Sequence, residues 1–247
     1  MIEGKEKALS LKNLCMSYGP LSVLSDVSVD VGCGEIFGLI GLNGAGKTTL
    51  IKAILSLRDK DAGKILILGR PSHEKNIRKN LVFLPERFEP PWFLTGIEFI
   101  QFSLRIYGHP YSEEQAYEMA EKLALDTKAL TRKVQTFSKG MRQKLGLIAT
   151  FMTQCEVLIL DEPMSGLDPR ARSMVKTLMA DCQKEKKRTI FLSSHILADM
   201  DEICDRVCVL HDSQIIYTGT PKDMKSSGES ASLEQSFLNL IEERVAA

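Results

Sequence analysis

Gly41-Leu42-Asn43-Gly44-Ala45-Gly46-Lys47-Thr48-Thr49 matches the pattern G-x-x-x-x-G-K-[ST] in full. Immediately before it, Ile36-Phe37-Gly38-Leu39-Ile40 reads as a buried strand. After it, Thr49 to Leu55 places apolar residues at helical spacing. Strand, glycine-rich turn and helix form the context this motif requires. Glycines let the backbone wrap closely around phosphate oxygens, with successive N–H groups pointing inward. The helix start presents its positive end to the anion. Gly41, Asn43, Gly44, Ala45, Gly46, Lys47, Thr48 and Thr49 are therefore candidate nucleotide-binding residues. In such a cradle the lysine reaches the β- and γ-phosphates and the threonine hydroxyl ligates Mg²⁺. A plain glycine turn explains neither the Lys-Thr pair nor the strand in front, so a nucleoside triphosphate is the expected ligand.

A second signal is Val157-Leu158-Ile159-Leu160-Asp161-Glu162-Pro163. A continuous apolar strand delivers two adjacent carboxylates at its C-terminal end. Asp161 there can hold Mg²⁺ opposite Thr48, directly or through water. Glu162 is the candidate general base for an attacking water, a role worth roughly 10²–10⁴-fold in rate. Alone, the pair is equally well read as a solvated acidic turn; combined with the phosphate loop it points to catalysis.

The third signal is Phe137-Ser138-Lys139-Gly140-Met141-Arg142-Gln143, which opens a helical pattern running to Phe151. Ser138 and Gly140 at a helix start make a second anion site, with hydroxyl and N–H donors. With these residues the sequence resembles the ATP-binding cassette (ABC) ATPase family. The family signature is L-S-G-G-Q, and F-S-K-G-M keeps the Ser and the second Gly. The F-S-K-G-M-R-Q form resembles the branch that energises two-component membrane exporters, and Lys139 adds a cation where phosphate is met.

The resemblance runs from about residue 8 to 221, in the family's order of motifs. It implies that Tyr18, in Ser17-Tyr18-Gly19, stacks on adenine. Ser165-Gly166-Leu167-Asp168 matches the loop that crosses a dimer interface, and His195 in Ser193-Ser194-His195 matches a switch histidine contacting the γ-phosphate. Lys47, Glu162 and His195 become the catalytic set. His73, His109 and His211 have no such placement and are read as structural. After Leu84-Pro85 the family usually has Gln, and this chain has Glu86. An ionised Glu only accepts hydrogen bonds and adds negative charge; Glu86 is a candidate Mg²⁺ and nucleotide contact. Phe88-Glu89-Pro90-Pro91-Trp92-Phe93-Leu94 follows. The resemblance implies a groove here for a short helix of a membrane subunit; internal packing between subdomains is the equal alternative.

Outside the motifs, 32 basic and 32 acidic residues give a formal net charge of zero. Basic runs such as Lys184-Glu185-Lys186-Lys187-Arg188 are interrupted by acids, so no broad nucleic-acid footprint is evident. The apolar runs are far shorter than a membrane span needs, and Met1 to Lys7 has no apolar signal core. A cytoplasmic protein is expected, peripheral on the cytoplasmic face of a membrane through transmembrane partner subunits. The 6 cysteines form no C-x-x-C pair and read as reduced core thiols.

Strands alternate with helices, which predicts an α/β fold with a RecA-like phosphate-loop core and a mainly parallel sheet. Leu9 to Met16 and Val27 to Val31 alternate apolar and polar residues, predicting an N-terminal antiparallel β portion. Helical patterns over Thr95–Tyr107, Ser112–Leu125 and Lys139–Phe151 predict an inserted α-helical subdomain. The expected organisation is one ABC ATPase domain over 1–247. Residues 1–86 and 153–225 form the nucleotide-binding core, 87–152 the helical signature subdomain, and 226–247 a polar linker and C-terminal helix. The resemblance implies ATP and Mg²⁺ as cofactors, a second copy or a homologous ATPase subunit as dimer partner, and integral membrane permease subunits. Three rivals remain: a soluble ABC-type ATPase acting on DNA or ribosomes, an ATP-sensing regulator without turnover, and a phosphate-loop GTPase or small-molecule kinase, the last of which leaves the Phe137–Gln143 and Ser165–Asp168 motifs unexplained. The first usually brings a long coiled coil or paired cassettes; the intact Lys47, Thr48, Asp161, Glu162 and His195 argue against the second.

Overall fold

In the computed structural model, residues 6–186, 188–227 and 232–246 are described. The chain opens with two long antiparallel strands, β1 (Lys7–Tyr18) and β2 (Leu21–Gly32), followed by β3 (Ile36–Ile40) and α1 (Lys47–Ile54). Next come β4 (Ala62–Ile67), β5 (Arg70–Pro71) and β6 (Leu81–Leu84). A helical block follows: α2 (Gly96–Tyr107), α3 (Glu113–Lys122) and α4 (Lys139–Met152). The chain then returns through β7 (Val157–Asp161), α5 (Pro169–Lys186), β8 (Thr189–Ser193), α6 (Leu197–Ile203), β9 (Arg206–His211) and β10 (Gln214–Gly219). It ends with α7 (Pro221–Ser227) and α8 (Leu233–Ala246).

Strands β2-β1-β4-β5 form an antiparallel sheet, and β10-β9-β3-β8-β7-β6 form the second. Within the latter, β9, β3, β8, β7 and β6 run parallel and only the edge strand β10 is antiparallel. Every residue of β3, β7 and β8 is buried. Side chains alternate between the two faces of a strand, so each apolar run divides between two cores. Ile36, Ile40, Leu158, Leu160, Ile190 and Leu192 join the helices on one face. Phe37, Leu39, Val157, Ile159 and Phe191 join α1 and the antiparallel sheet on the other. Phe37 and Phe191, on neighbouring strands, stack with ring centroids 5.9 Å apart.

The helical block does not bring a separate core. Leu104, Ala120, Leu145 and Ile148 belong to the same apolar cluster as β6, β7 and β8. Its helices start where hydroxyls stand ready. Thr95 and Glu98 form a reciprocal capping box on α2, and Ser112 accepts from the Gln115 N–H at 3.3 Å on α3. Helix α4 passes close to β6 at Gly146, where a Cβ would lie 2.8 Å from both Leu84 and the Phe88 ring. Its C-terminal end is held by Arg188, which is only 3% exposed. That guanidinium donates to the carbonyls of Cys155 at 2.7 Å and Phe151 at 3.0 Å.

The polar stretch expected as a linker from residue 226 begins inside α7, which continues through Ser227. Residues 228–231 lie outside the described ones, and the C-terminal helix is α8, whose Leu233 and Phe237 are buried against the helical face of the sheet. No disulfide joins the cysteines, and Cys155, Cys204 and Cys208 are buried. Burial pushes the Cys208 thiol up to about 12, which keeps it protonated and inert at neutral pH. Among the described residues no helix is long and apolar enough to cross a membrane.

Candidate functional site

The C-terminal ends of β3, β6, β7 and β8 open onto one cavity of about 430 Å³, the crevice where open α/β sheets bind ligands. Its lining includes Asn43, Gly44, Gly46, Lys47, Thr48 and Thr49 from the loop after β3, and Glu86 from beyond β6. Asp161 and Glu162 enter from the end of β7, and His195 from beyond β8. Ten of the residues singled out from the sequence thus meet in one place.

The loop leads into α1 through Gly46, whose φ of +105° lies in the left-handed region that favours glycine. The same position is crowded, with a Cβ meeting Val23 at 3.1 Å. Buried Lys47 turns its Nζ back to donate to the carbonyls of Gly41 at 2.8 Å and Leu42 at 3.3 Å. Gly41 supports the lysine, and a Cβ there would stand 2.7 Å from the Leu210 carbonyl. Ala45 lies outside the main cavity and lines a neighbouring groove with Leu21, Leu42 and His211.

The carboxylates are organised through β8. The Thr48 hydroxyl donates to Asp161 Oδ2 at 3.2 Å, and the Ser193 hydroxyl donates to Asp161 Oδ1 at 2.6 Å. Ser193 Oγ also accepts from the Glu162 N–H at 3.0 Å. Ser193 is fully buried, and its strand lies between β3 and β7. It is a site residue that motif reasoning passed over, although a hydroxyl closing an apolar strand beside the histidine was visible in the sequence. Glu162 has φ +49°, a strained conformation for a residue with a side chain, of the kind that clusters at functional sites. Its Oε2 lies 2.7 Å from His195 Nδ1. The histidine is half-exposed, whereas the glutamate is 7% exposed.

Thr48, Asp161 and Glu86 suit a small hard cation. Mg²⁺ is typically held by one or two carboxylates together with substrate phosphates rather than by a complete protein cage. Among the described residues no cluster of three or more His, Cys, Asp or Glu side chains stands ready to hold a metal ion.

Tyr18 ends β1 beside the loop, half-exposed rather than lining the cavity itself. A hydrogen bond with the Thr49 side chain, aided by the charges of Arg58 and Lys52, holds its hydroxyl below its ordinary pKa despite some burial. The Arg58 guanidinium stands 3.5 Å from the Tyr18 ring centroid.

Ser138, Gly140 and Asp168 are not in the cavity. They line a separate hollow with Arg132, Lys144 and Gly166. Exposed Ser138 caps α4 by accepting from the Met141 N–H at 3.2 Å. Exposed Lys139 runs beside Gly166. Asp168 accepts from the Ala171 N–H at 2.9 Å, which together with nearby Lys144 holds its carboxyl below the usual range. Gln143 donates to the Pro163 carbonyl at 3.0 Å, tying α4 to the loop behind Glu162.

The segment after Glu86 divides between its two readings. Phe88 packs edge-on against Phe99, with centroids 5.5 Å apart. Trp92 and Phe93 stand out at 66% and 55% exposure, and Phe102 and Ile106 of α2 are exposed as well.

A phosphate loop, an acidic strand end across a parallel sheet, and a serine-capped helix on an inserted block define a phosphate-loop nucleotide-binding cassette. The sequence matches the ABC transporter family over residues 24–165. It is 36% identical to an uncharacterized ABC transporter ATP-binding protein of Synechocystis sp., covering 83% of this chain and 59% of that relative. It is 34% identical to the bacitracin transport ATP-binding protein BcrA of Enterococcus faecalis, covering 85% of this chain and 68% of BcrA. A solved structure of the ATP-binding subunit of an ABC transporter is 33% identical, with a TM-score of 0.85, covering 95% of this chain and 99% of that one. The chain therefore belongs to the ABC transporter ATP-binding family, and spans about three fifths of the first of these relatives.

Proposed function

We propose that this chain is the ATP-hydrolysing subunit of a membrane exporter, and that it works as a pair of cassettes. The supporting observation is a division of labour. Lys47, Thr48, Glu86, Asp161, Glu162 and His195 surround one cavity, whereas Ser138 and Gly140 lie at a separate hollow of the same chain. A nucleotide on the phosphate loop therefore needs a second copy, or a homologous subunit, to supply the serine-capped helix start that closes over its γ-phosphate.

Each residue then has a task. The loop N–H groups and Lys47 bind the phosphates, the lysine exchanging the Gly41 and Leu42 carbonyls for phosphate oxygens. A bound Mg²⁺, for which Thr48, Asp161 and Glu86 are the candidate contacts, would supply charge neutralisation across the β- and γ-phosphates. Ser193 fixes the Asp161 carboxylate and the Glu162 backbone. His195 occupies one oxygen of Glu162 and leaves the other to take a proton from the attacking water. His195, at the exposed rim, is also placed to meet the γ-phosphate. Closure is favoured while the γ-phosphate bridges the two copies and is released when it is lost. Trp92 and Phe93, beside Glu86, offer the apolar surface through which a permease subunit is moved. On this reading the protein works at the cytoplasmic face of a membrane, held there by its permease subunits.

The test is Glu162→Gln, with phosphate release and light scattering measured with and without Mg²⁺-ATP. The wild type should hydrolyse ATP. The variant should bind ATP, lose turnover and accumulate as a dimer. Normal turnover in the variant would remove Glu162 from the base role, and failure of both proteins to bind ATP would remove the proposal itself.

A further inference from the structure

We infer that Arg58 is a positioning residue for the nucleotide base: stacked on one face of Tyr18, it holds the ring so that the opposite face receives the base. This rests on the reading that the loop binds a nucleotide and that Tyr18 carries its base.

Arg58 lies in the connection after α1, whose first turn forms the phosphate cradle. The connection is stitched to β1 at two points. The Asp61 N–H donates to the Cys15 carbonyl at 2.9 Å, and Arg58 Nη2 donates to the Ser17 carbonyl at 2.9 Å. The second bond brings the guanidinium over the neighbouring ring, 3.5 Å from its centroid. At the other end of α1, Thr49 is the main cause that lowers the Tyr18 hydroxyl below its ordinary value. Tyr18 is thus backed by the connection that follows the helix holding the phosphates.

A ring has two faces. The guanidinium takes one, and Tyr18 nevertheless keeps 40% of its surface exposed. Thr49, the main cause of the lowered Tyr18 pKa, also lines the phosphate cavity. A cation over one face draws on the ring's electron density, which favours an electron-rich purine on the other. The planar guanidinium also occupies the face on which a base would otherwise stack wrongly. The alternative is that Arg58 only anchors β1 through the Ser17 carbonyl.

The experiment compares calorimetric affinities of the whole chain for ADP and for inorganic pyrophosphate, both with Mg²⁺. The proteins are wild type, Arg58→Ala, Arg58→Gln and Tyr18→Ala. Arg58→Ala should weaken ADP by about two- to fivefold, the size of an exposed cation–π contact, and leave pyrophosphate unchanged. Arg58→Gln keeps a donor for the Ser17 carbonyl while removing the charge, and should show the same loss even if Arg58→Ala folds poorly. Tyr18→Ala should weaken ADP by about fivefold or more, again without effect on pyrophosphate. Wild-type ADP affinity in Arg58→Gln would overturn the inference in favour of a backbone anchor. Equal losses for ADP and pyrophosphate would overturn it in favour of a general counter-charge. A loss in Tyr18→Ala alone would remove Arg58 but keep the base on Tyr18, whereas no loss in either would remove both.

Discussion

Ser193→Ala removes a single oxygen, yet that oxygen joins both carboxylate residues. It donates to Asp161 Oδ1 at 2.6 Å and accepts from the Glu162 N–H at 3.0 Å, with Ser193 fully buried and Asp161 only 2% exposed. A hydrogen bond to a charged group contributes about 1.5–3 kcal/mol, and a buried N–H left without a partner costs about 1–3 kcal/mol. The two losses belong to one network and do not add fully, so the expected destabilisation is about 2–4 kcal/mol. For a chain of this size that is roughly 4–16 °C in Tm. Urea unfolding gives the free energy directly. Ser194→Ala is the control: Ser194 is also buried, but its hydroxyl accepts only from the Ile196 N–H, at 3.0 Å. Turnover should fall at least about tenfold in Ser193→Ala, because Glu162 loses the tether on its strained backbone. A free-energy change within about 0.5 kcal/mol of the control, a margin typical of neutral substitutions, would refute the network.

Three other outcomes follow from the packing and charges. Gly146→Ala should destabilise by about 1–3 kcal/mol, because its Cβ would lie 2.8 Å from Leu84 and Phe88; thermal unfolding checks this. Arg188→Ala should cost about 2–4 kcal/mol in urea unfolding, since the Phe151 and Cys155 carbonyls lose their buried donor. Burial alone would raise the Asp30 carboxyl, but hydrogen bonds from Lys7 and Ser10 overcome it and hold the group below its ordinary value of 3.8. A depressed carboxyl contributes stability above the unfolded value that is lost as pH falls through the folded one. In a Tm–pH series, the gap between wild type and Asp30→Asn should therefore be constant near neutrality and close below about pH 4.

Much of the site was legible because its parts are local. The phosphate loop and the acidic strand end each carry their meaning within a few residues, and burial on both faces makes β3 and β7 plain as continuous apolar runs. The role of Ser193 was not legible, since it depends on strand order. β8 follows β7 in the chain but inserts between β3 and β7, and only that neighbourhood brings its hydroxyl to Asp161. Arg58 gave no local signal either, because its partner is forty residues earlier in the chain. In the antiparallel sheet, alternation was readable for Leu9–Met16 and Val27–Val31, whereas β1 and β2 extend well beyond both. Register shifts interrupt the pairing at both ends of the readable stretch of β1, between Lys7 and Leu9 and between Met16 and Ser17. The segment around Trp92 read ambiguously because its aromatics serve different purposes, Phe88 inward and Trp92 outward.

Helix α4 has 14 residues, so about 21 Å of rigid rod separates its two ends. One end is moored by the buried guanidinium of Arg188 and the other carries Ser138. A rod fastened at its base behaves as a lever: a tilt of about 5° there would sweep the tip by about 2 Å, most of a hydrogen-bond length. On the proposed reading, small torques on the helical block are thereby amplified into making or missing contact with a phosphate on the opposite copy.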